Sequence, residues 1–263
     1  VRRAGRRFTG VDRVEFAYLR ALLADEVPCW ALVRTPFGYL MLDEAGMAQF
    51  AQRLQQDTHW HDFDPLSQIA FANLSAQRGV RSFLRGISVG RTTPSGLARL
   101  VRKHLPFGFN YVNVGHSNLS ARVLKVMKVE AKKIAVFVHD IIPIEFPQFQ
   151  REETAHPFID KMQRVQAFAD VIICNSKDTE QRVIGQFNKW GELPQTMAAH
   201  LGYDPLKASA PISAELEKPA RPYFVTLGTI EPRKNHVFLL DLWEKLGPEA
   251  PELLIGGAFG WNN

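Results

Sequence analysis

The chain reads as an α/β protein built on a parallel sheet, and three observations say so. Apolar strand-like runs alternate with amphipathic helical stretches along most of its 263 residues. The run Ile134 to Val138 is apolar throughout, as a parallel strand covered on both faces requires. The polar turns at His139-Asp140, Asn175-Ser176 and Gly228 to Pro232 all follow strand-like runs, at the carboxyl ends where open sheets bind ligands. The length exceeds one average domain, so one large domain or two moderate ones are expected.

In chain order, residues 9–24 predict a turn into an amphipathic helix. Thr9 and Asp12 are its candidate caps, and Val14, Tyr18, Ala21 and Leu22 form one face. Val27 to Asp43 alternates around Pro36 and Gly38 and predicts two short strands or a hairpin, followed by a helix over Glu44 to Gln56. Leu97, Leu100, Val101 and Leu105 mark a short helix whose other sides carry Arg99, Arg102 and Lys103. Phe109 to Val114 predicts a strand that ends in a turn at His116, and Lys132 to Val138 a second. A helix over Glu152 to Phe168 leads to a buried strand over Asp170 to Cys174 and a helix over Asp178 to Lys189. Thr196 to Asp204 reads as the last strand and turn of this half. The stretch Lys207 to Arg221, rich in Ala, Pro and Ser, reads as a linker.

After the linker, Tyr223 to Leu227 predicts a buried strand, with Gly228 and Pro232 in the turn. Leu239, Leu240, Trp243 and Leu246 recur at helical spacing and predict a helix packed on that strand. Arg233 and Lys234 then stand at a helix start, where free backbone N–H groups favour an anion; two cations beside them suit a diphosphate, while the plain alternative is a turn with two solvated bases. Pro251 to Trp261 reads as a further strand and its turn.

Composition sets limits. No run approaches the roughly 20 apolar residues of a membrane-spanning helix, and no secretory signal precedes the first helix, so a soluble or peripheral protein is expected. Cys29 and Cys174 lack metal or CxxC spacing and read as two ordinary thiols of a reducing compartment. The net charge is +5, unevenly spread: no acidic residue occurs between Asp64 and Glu130, so an anionic partner is expected near segment 65–129. A basic amphipathic helix there could lie on an anionic membrane with its apolar face in the headgroup boundary; a solvated face is the alternative. No nucleic-acid module is visible, so nucleic acid is not expected. His59-Trp-His-Asp-Phe-Asp64 offers two His with flanking Asp, but no third His or Cys at zinc spacing, and reads as an exposed loop.

Four stretches resemble family 4 glycosyltransferases, retaining enzymes of the GT-B fold. They are Thr9-Gly-Val-Asp-Arg-Val14, Val138-His-Asp-Ile-Ile-Pro143, Ala169 to Ser176, and Leu227-Gly-Thr-Ile-Glu-Pro-Arg-Lys-Asn235. The resemblance implies a Rossmann-like N-terminal acceptor-side domain over 1–207, a linker over 208–221, and the start of a nucleotide-sugar domain over 222–263. It further implies that Arg233 and Lys234 bind the donor diphosphate, that Gly10 lets backbone approach it, and that His139 lies in the cleft near the transferred sugar as the candidate catalytic residue. Ser176 faces the cleft in the same pattern. Asp140 could orient His139 or cap the next turn, and His116 on the neighbouring strand end is a candidate for the same cleft.

The activity implied is transfer of a mannose-, rhamnose- or glucose-type sugar, with retention, from a nucleoside diphosphate sugar to a glycan or lipid-linked acceptor in cell-surface polysaccharide or lipopolysaccharide assembly. The expected location is cytoplasmic, peripheral on the inner face of the membrane. Cations at the leaving diphosphate make a metal unnecessary, so neither metal nor cofactor is expected. The family's two acidic donor-site residues have no counterpart before the chain stops. The chain therefore reads as a fragment expected to be inactive alone, which glycosyl transfer by the 263-residue chain would contradict. A non-catalytic binding protein and a sugar-nucleotide epimerase of the same fold are the alternatives. A dehydrogenase is discounted by the glycine spacing of Gly256 to Gly260.

Overall fold

The computed structural model describes residues 8–55, 60, 75–151, 153–202 and 221–260. The expected linker over 208–221 lies outside the described residues except for Arg221, and the His59 to Asp64 cluster except for Trp60. The chain divides into two compact units: residues 1–141 with 160–201, and residues 142–159 with 202–263.

In the first unit, α1 (Gly10–Ala24) opens on a capping box in which Thr9 and Asp12 satisfy each other's backbone N–H. β1 (Ala31–Thr35) and β2 (Gly38–Leu42) form the expected hairpin, and α2 (Glu44–Gln55) follows it. Helix α3 (Ser75–Gly86) leads to β3 (Gly90–Thr92), which pairs antiparallel with β2 and completes a three-stranded sheet. Around this sheet Leu40, Leu42, Met47, Val80 and Leu84 form a buried cluster, with Leu19 and Leu23 of α1 packed against it. The packing stripe of α1 is thus Tyr18, Leu19 and Leu23 rather than Val14, Tyr18, Ala21 and Leu22, since Leu22 is 41% exposed.

Helix α4 (Leu97–His104) corrects an expectation. Leu97, Leu100 and Val101 are buried in the unit, so its apolar face is consumed by the protein's own core and is not presented to a membrane. Arg99, Arg102 and Lys103 remain on the outer side. Among the described residues no helix is long and apolar enough to cross a membrane.

The larger sheet is parallel throughout. β4 (Asn110–Asn113), β5 (Lys133–Val138), β6 (Val171–Cys174) and β7 (Gln195–Ala198) lie side by side in that order. Such pairing requires a crossover after each strand. Helix α5 (Ala121–Glu130) joins β4 to β5; the short α6 (Ile142–Glu145) and α7 (Ala155–Phe168) join β5 to β6; α8 (Lys177–Phe187) joins β6 to β7. Ile134, Val136, Phe137 and Val138 of β5 are fully buried, as are Val123 and Leu124 of α5, Met162 and Val165 of α7, and Val183 and Phe187 of α8. The free thiol of Cys174 is buried in β6, and burial, with Glu180 nearby, pushes it up to about 12.

In the second unit β8 (Tyr223–Leu227) and β9 (Glu252–Gly256) pair in parallel across α9 (His236–Leu246). The face expected of α9 is only half realised. Trp243 meets Phe224 edge-on at 5.6 Å, while Leu240 and Leu246 are each 53% exposed. Two strands cannot cover a full helix face.

Candidate functional site

The carboxyl ends of β4 and β5 bring His116 and His139 together. Their rings meet edge-on with centroids 5.3 Å apart, and His139 also lies 4.8 Å from the Phe137 ring. His116 sits in the turn after β4 with φ 59°, in the left-handed region. A polar network holds that turn: Tyr111 Oη donates to the Asn118 carbonyl at 3.1 Å, Asn113 Nδ2 donates to Tyr111 Oη and to the Ser117 carbonyl, and Asn118 Nδ2 donates to the Leu32 carbonyl at 2.7 Å. These partners make the turn a fixed platform.

Hydrogen bonding sets both imidazole tautomers. Nε2 of His116 is 2.9 Å from the Phe137 carbonyl, and Nε2 of His139 is 2.7 Å from the Val114 carbonyl. A carbonyl oxygen only accepts, so each Nε2 carries a proton. Burial pushes the His116 imidazole down to about 4, helped by His139 and Lys161, against the bond to Phe137. It is neutral at physiological pH. His139 is buried; Asp140, next to it, is exposed.

Glu15, which sequence reasoning passed over, belongs to the same place. It lies three residues before Tyr18 and four before Leu19 on α1 and is exposed. A Cβ placed on Gly115 would fall 1.8 Å from Glu15 Oε1, so the carboxylate rests against the glycine that precedes His116. Desolvation, then the neighbouring Asp12, raise its pKa.

The other expected residues fall as follows. Ser176 is the N-cap of α8: its Oγ accepts from the Thr179 N–H at 3.1 Å and donates to Thr179 Oγ1 at 3.1 Å. Its proton and one lone pair are committed to the cap. Gly10 is the first residue of α1, and a Cβ there would meet nothing within 4 Å. Nothing in the described chain requires glycine at that position.

Arg233 and Lys234 belong to the second unit, in a 3₁₀ turn over Pro232–Lys234 that runs into α9 through the left-handed Asn235. Arg233 is ion-paired with Glu231. Lys234 makes no ion pair among the described residues, and its side chain passes over Gly228, where a Cβ would stand 3.6 Å from Cε. Gly228 has φ 151°, and a Cβ on Gly257 would fall 1.8 Å from the Gly228 carbonyl. The two loops after β8 and β9 therefore touch backbone to backbone, joined by Ile230 N–H to Ala258 at 2.9 Å and Gly260 N–H to Ile230 at 2.9 Å. Only glycine permits that approach. Among the described residues no group of His, Cys, Asp and Glu could hold a metal ion.

Comparison with curated proteins gives one consistent result. Over 141 residues, 48% of this chain, the sequence is 32% identical to the serotype-specific mannosyltransferase WbdA of Escherichia coli, in three versions of that protein. The chain is similar over about half its length to a mannosyltransferase. The match spans 17% of the length of those relatives. No protein-family profile matches the chain, and no solved structure matches it.

Proposed function

We propose that the protein is a retaining glycosyltransferase of the family 4, GT-B type. It moves a mannose-, rhamnose- or glucose-type sugar from a nucleoside diphosphate sugar to a glycan or lipid-linked acceptor in cell-surface polysaccharide assembly. The observation that carries this reading is the 32% identity to a mannosyltransferase over 141 residues. The two imidazoles at the strand ends and the basic turn at the end of β8 are compatible with it.

In this reading the second unit holds the donor. The leaving diphosphate gains negative charge as the glycosidic bond breaks, so cations fixed beforehand stabilise the transition state more than the ground state. Lys234, whose ammonium carries no ion pair among the described residues, is the principal contact, and Arg233 contributes from its pair with Glu231. With that charge supplied by the protein, neither metal nor cofactor is needed. Backbone at Gly10 approaches the donor in the resembled family. His139 contacts the sugar hydroxyls through Nδ1; His116 and Asp140 line the same place, and Ser176 serves chiefly as a cap.

The test is an incubation of the full-length protein with uridine, guanosine and thymidine diphosphate sugars and a glycan acceptor, with the product anomer read by proton NMR. Transfer from one nucleotide class with the donor's anomeric configuration is expected. An inverted product contradicts retention. Isomerisation without acceptor identifies an epimerase, and binding without turnover a non-catalytic sugar-nucleotide binder.

A further inference from the structure

The two histidines at the strand ends hold each other in place. His139, just past β5, donates from Nε2 to the Val114 carbonyl at 2.7 Å, and Val114 lies two residues before His116. His116, in the turn after β4, donates from Nε2 to the Phe137 carbonyl at 2.9 Å, and Phe137 lies two residues before His139. Each imidazole is thus tied to the strand that carries the other. The last backbone pair of β4 and β5 is Asn113 with Val136, so the exchanged bonds carry the link between the strands past the end of their ladder. The turn that supplies the Val114 carbonyl is itself anchored. Tyr111 Oη and Asn113 Nδ2 donate to the Asn118 and Ser117 carbonyls, and Nε of Arg164 on α7 donates to the Leu119 carbonyl at 3.1 Å. His116 stands in that turn at φ 59°, a left-handed backbone that a non-glycine residue keeps only where its surroundings fix it.

One hydrogen bond fixes the direction of an imidazole but leaves the ring free to turn about it. A second ring packed edge-on removes that freedom. We propose that His116 is a positioning residue for His139: the exchanged bonds to Phe137 and Val114, with the two rings edge-on at 5.3 Å, set the plane in which His139 meets the transferred sugar. His116 suits this part because burial keeps it neutral, so it donates to Phe137 unchanged across the physiological range. Placement matters to the reaction, since a shift of about 1 Å in a group that touches the substrate costs about a hundredfold in rate. The contact with sugar rests on the glycosyltransferase reading. The coupling of the two rings rests on the geometry alone.

The experiment joins NMR of the full-length protein, labelled with nitrogen-15 in its histidines, to steady-state transfer. The His139 Nε2–H signal is identified by its loss in His139→Phe. His116→Phe keeps a ring and loses the donor, whereas His116→Gln keeps a nitrogen donor. Both enter the same left-handed backbone, so the difference between them reads the donor. In wild type the His139 signal should resist exchange with water; it should be lost in His116→Phe and kept in His116→Gln. In transfer, His116→Phe should lower kcat about tenfold with the donor KM within about twofold, and His116→Gln should recover part of that loss. In a His139→Phe background, His116→Phe should lower kcat by less than about twofold further. A His139 signal that exchanges freely in wild type, or that survives in His116→Phe, overturns the inference without touching the glycosyltransferase reading. Losses that add in the double variant also overturn it, because His116 then acts independently of His139. If His116→Phe does not fold, the wild-type exchange rate and His116→Gln decide. A wild type that transfers nothing overturns the glycosyltransferase reading and the sugar-facing role with it, and the signal alone then upholds or overturns the coupling of the rings.

Discussion

At the scale of single residues, His116 carries the sharpest consequence. Its folded value of about 4 lies below the ordinary 6.5, so between those values the unfolded chain binds the proton more readily. Stability is then complete above about pH 6.5 and falls as pH drops toward 4, by up to about 3 kcal/mol from this group. Glu15 acts in the opposite sense, since its raised pKa adds stability at low pH and withdraws it as pH rises through the folded value. Denaturant unfolding at pH 7 and pH 4.5 should therefore show a steeper loss in wild type than in His116→Gln. Equal slopes would mean that the imidazole is not held neutral. Ser176→Ala should cost about 1 kcal/mol through the lost cap and leave donor affinity unchanged, measured by unfolding and by titration. A large loss of substrate binding would give Ser176 a second role.

The elements show what kinds of signal a sequence carries. β5 was legible because Ile134 to Val138 is apolar on both faces, which few structures other than a central parallel strand require. β3 was not, because Gly90-Arg-Thr92 has no apolar residue and exists only through its pairing with β2. Helix α1 was found, but three- and four-residue spacings admit more than one stripe, and the packed one runs through Leu19 and Leu23. His116 and His139 could be named from their turns, while the tautomers that decide their chemistry depend on the Phe137 and Val114 carbonyls, remote in sequence. For α1 itself, Thr9→Ala removes half of a capping box and should cost about 1 kcal/mol, read as a lower unfolding midpoint. An unchanged midpoint would show that packing through Leu19 and Leu23 holds the helix without its cap.

At the scale of the whole molecule, the first unit contributes a buried α/β core with His116 and His139 at its strand ends, and the second a small βαβ with a basic turn. β5 has a strand on each side and fully buried residues, whereas β8 has one neighbour and leaves Phe224 58% and Leu227 78% exposed. The donor role proposed for the second unit rests on Lys234 above Gly228 and on Arg233 paired with Glu231. These two cations are unequal. Arg233 already has a carboxylate, so its removal costs a ligand less than the removal of Lys234. The measurement that tests this most directly is a calorimetric titration of the full-length protein with nucleoside diphosphate sugars, in wild type, Lys234→Ala and Arg233→Ala. The account predicts selective binding of one nucleotide sugar, weakened about tenfold to a hundredfold in Lys234→Ala and less in Arg233→Ala. Binding indifferent to Lys234→Ala would contradict it.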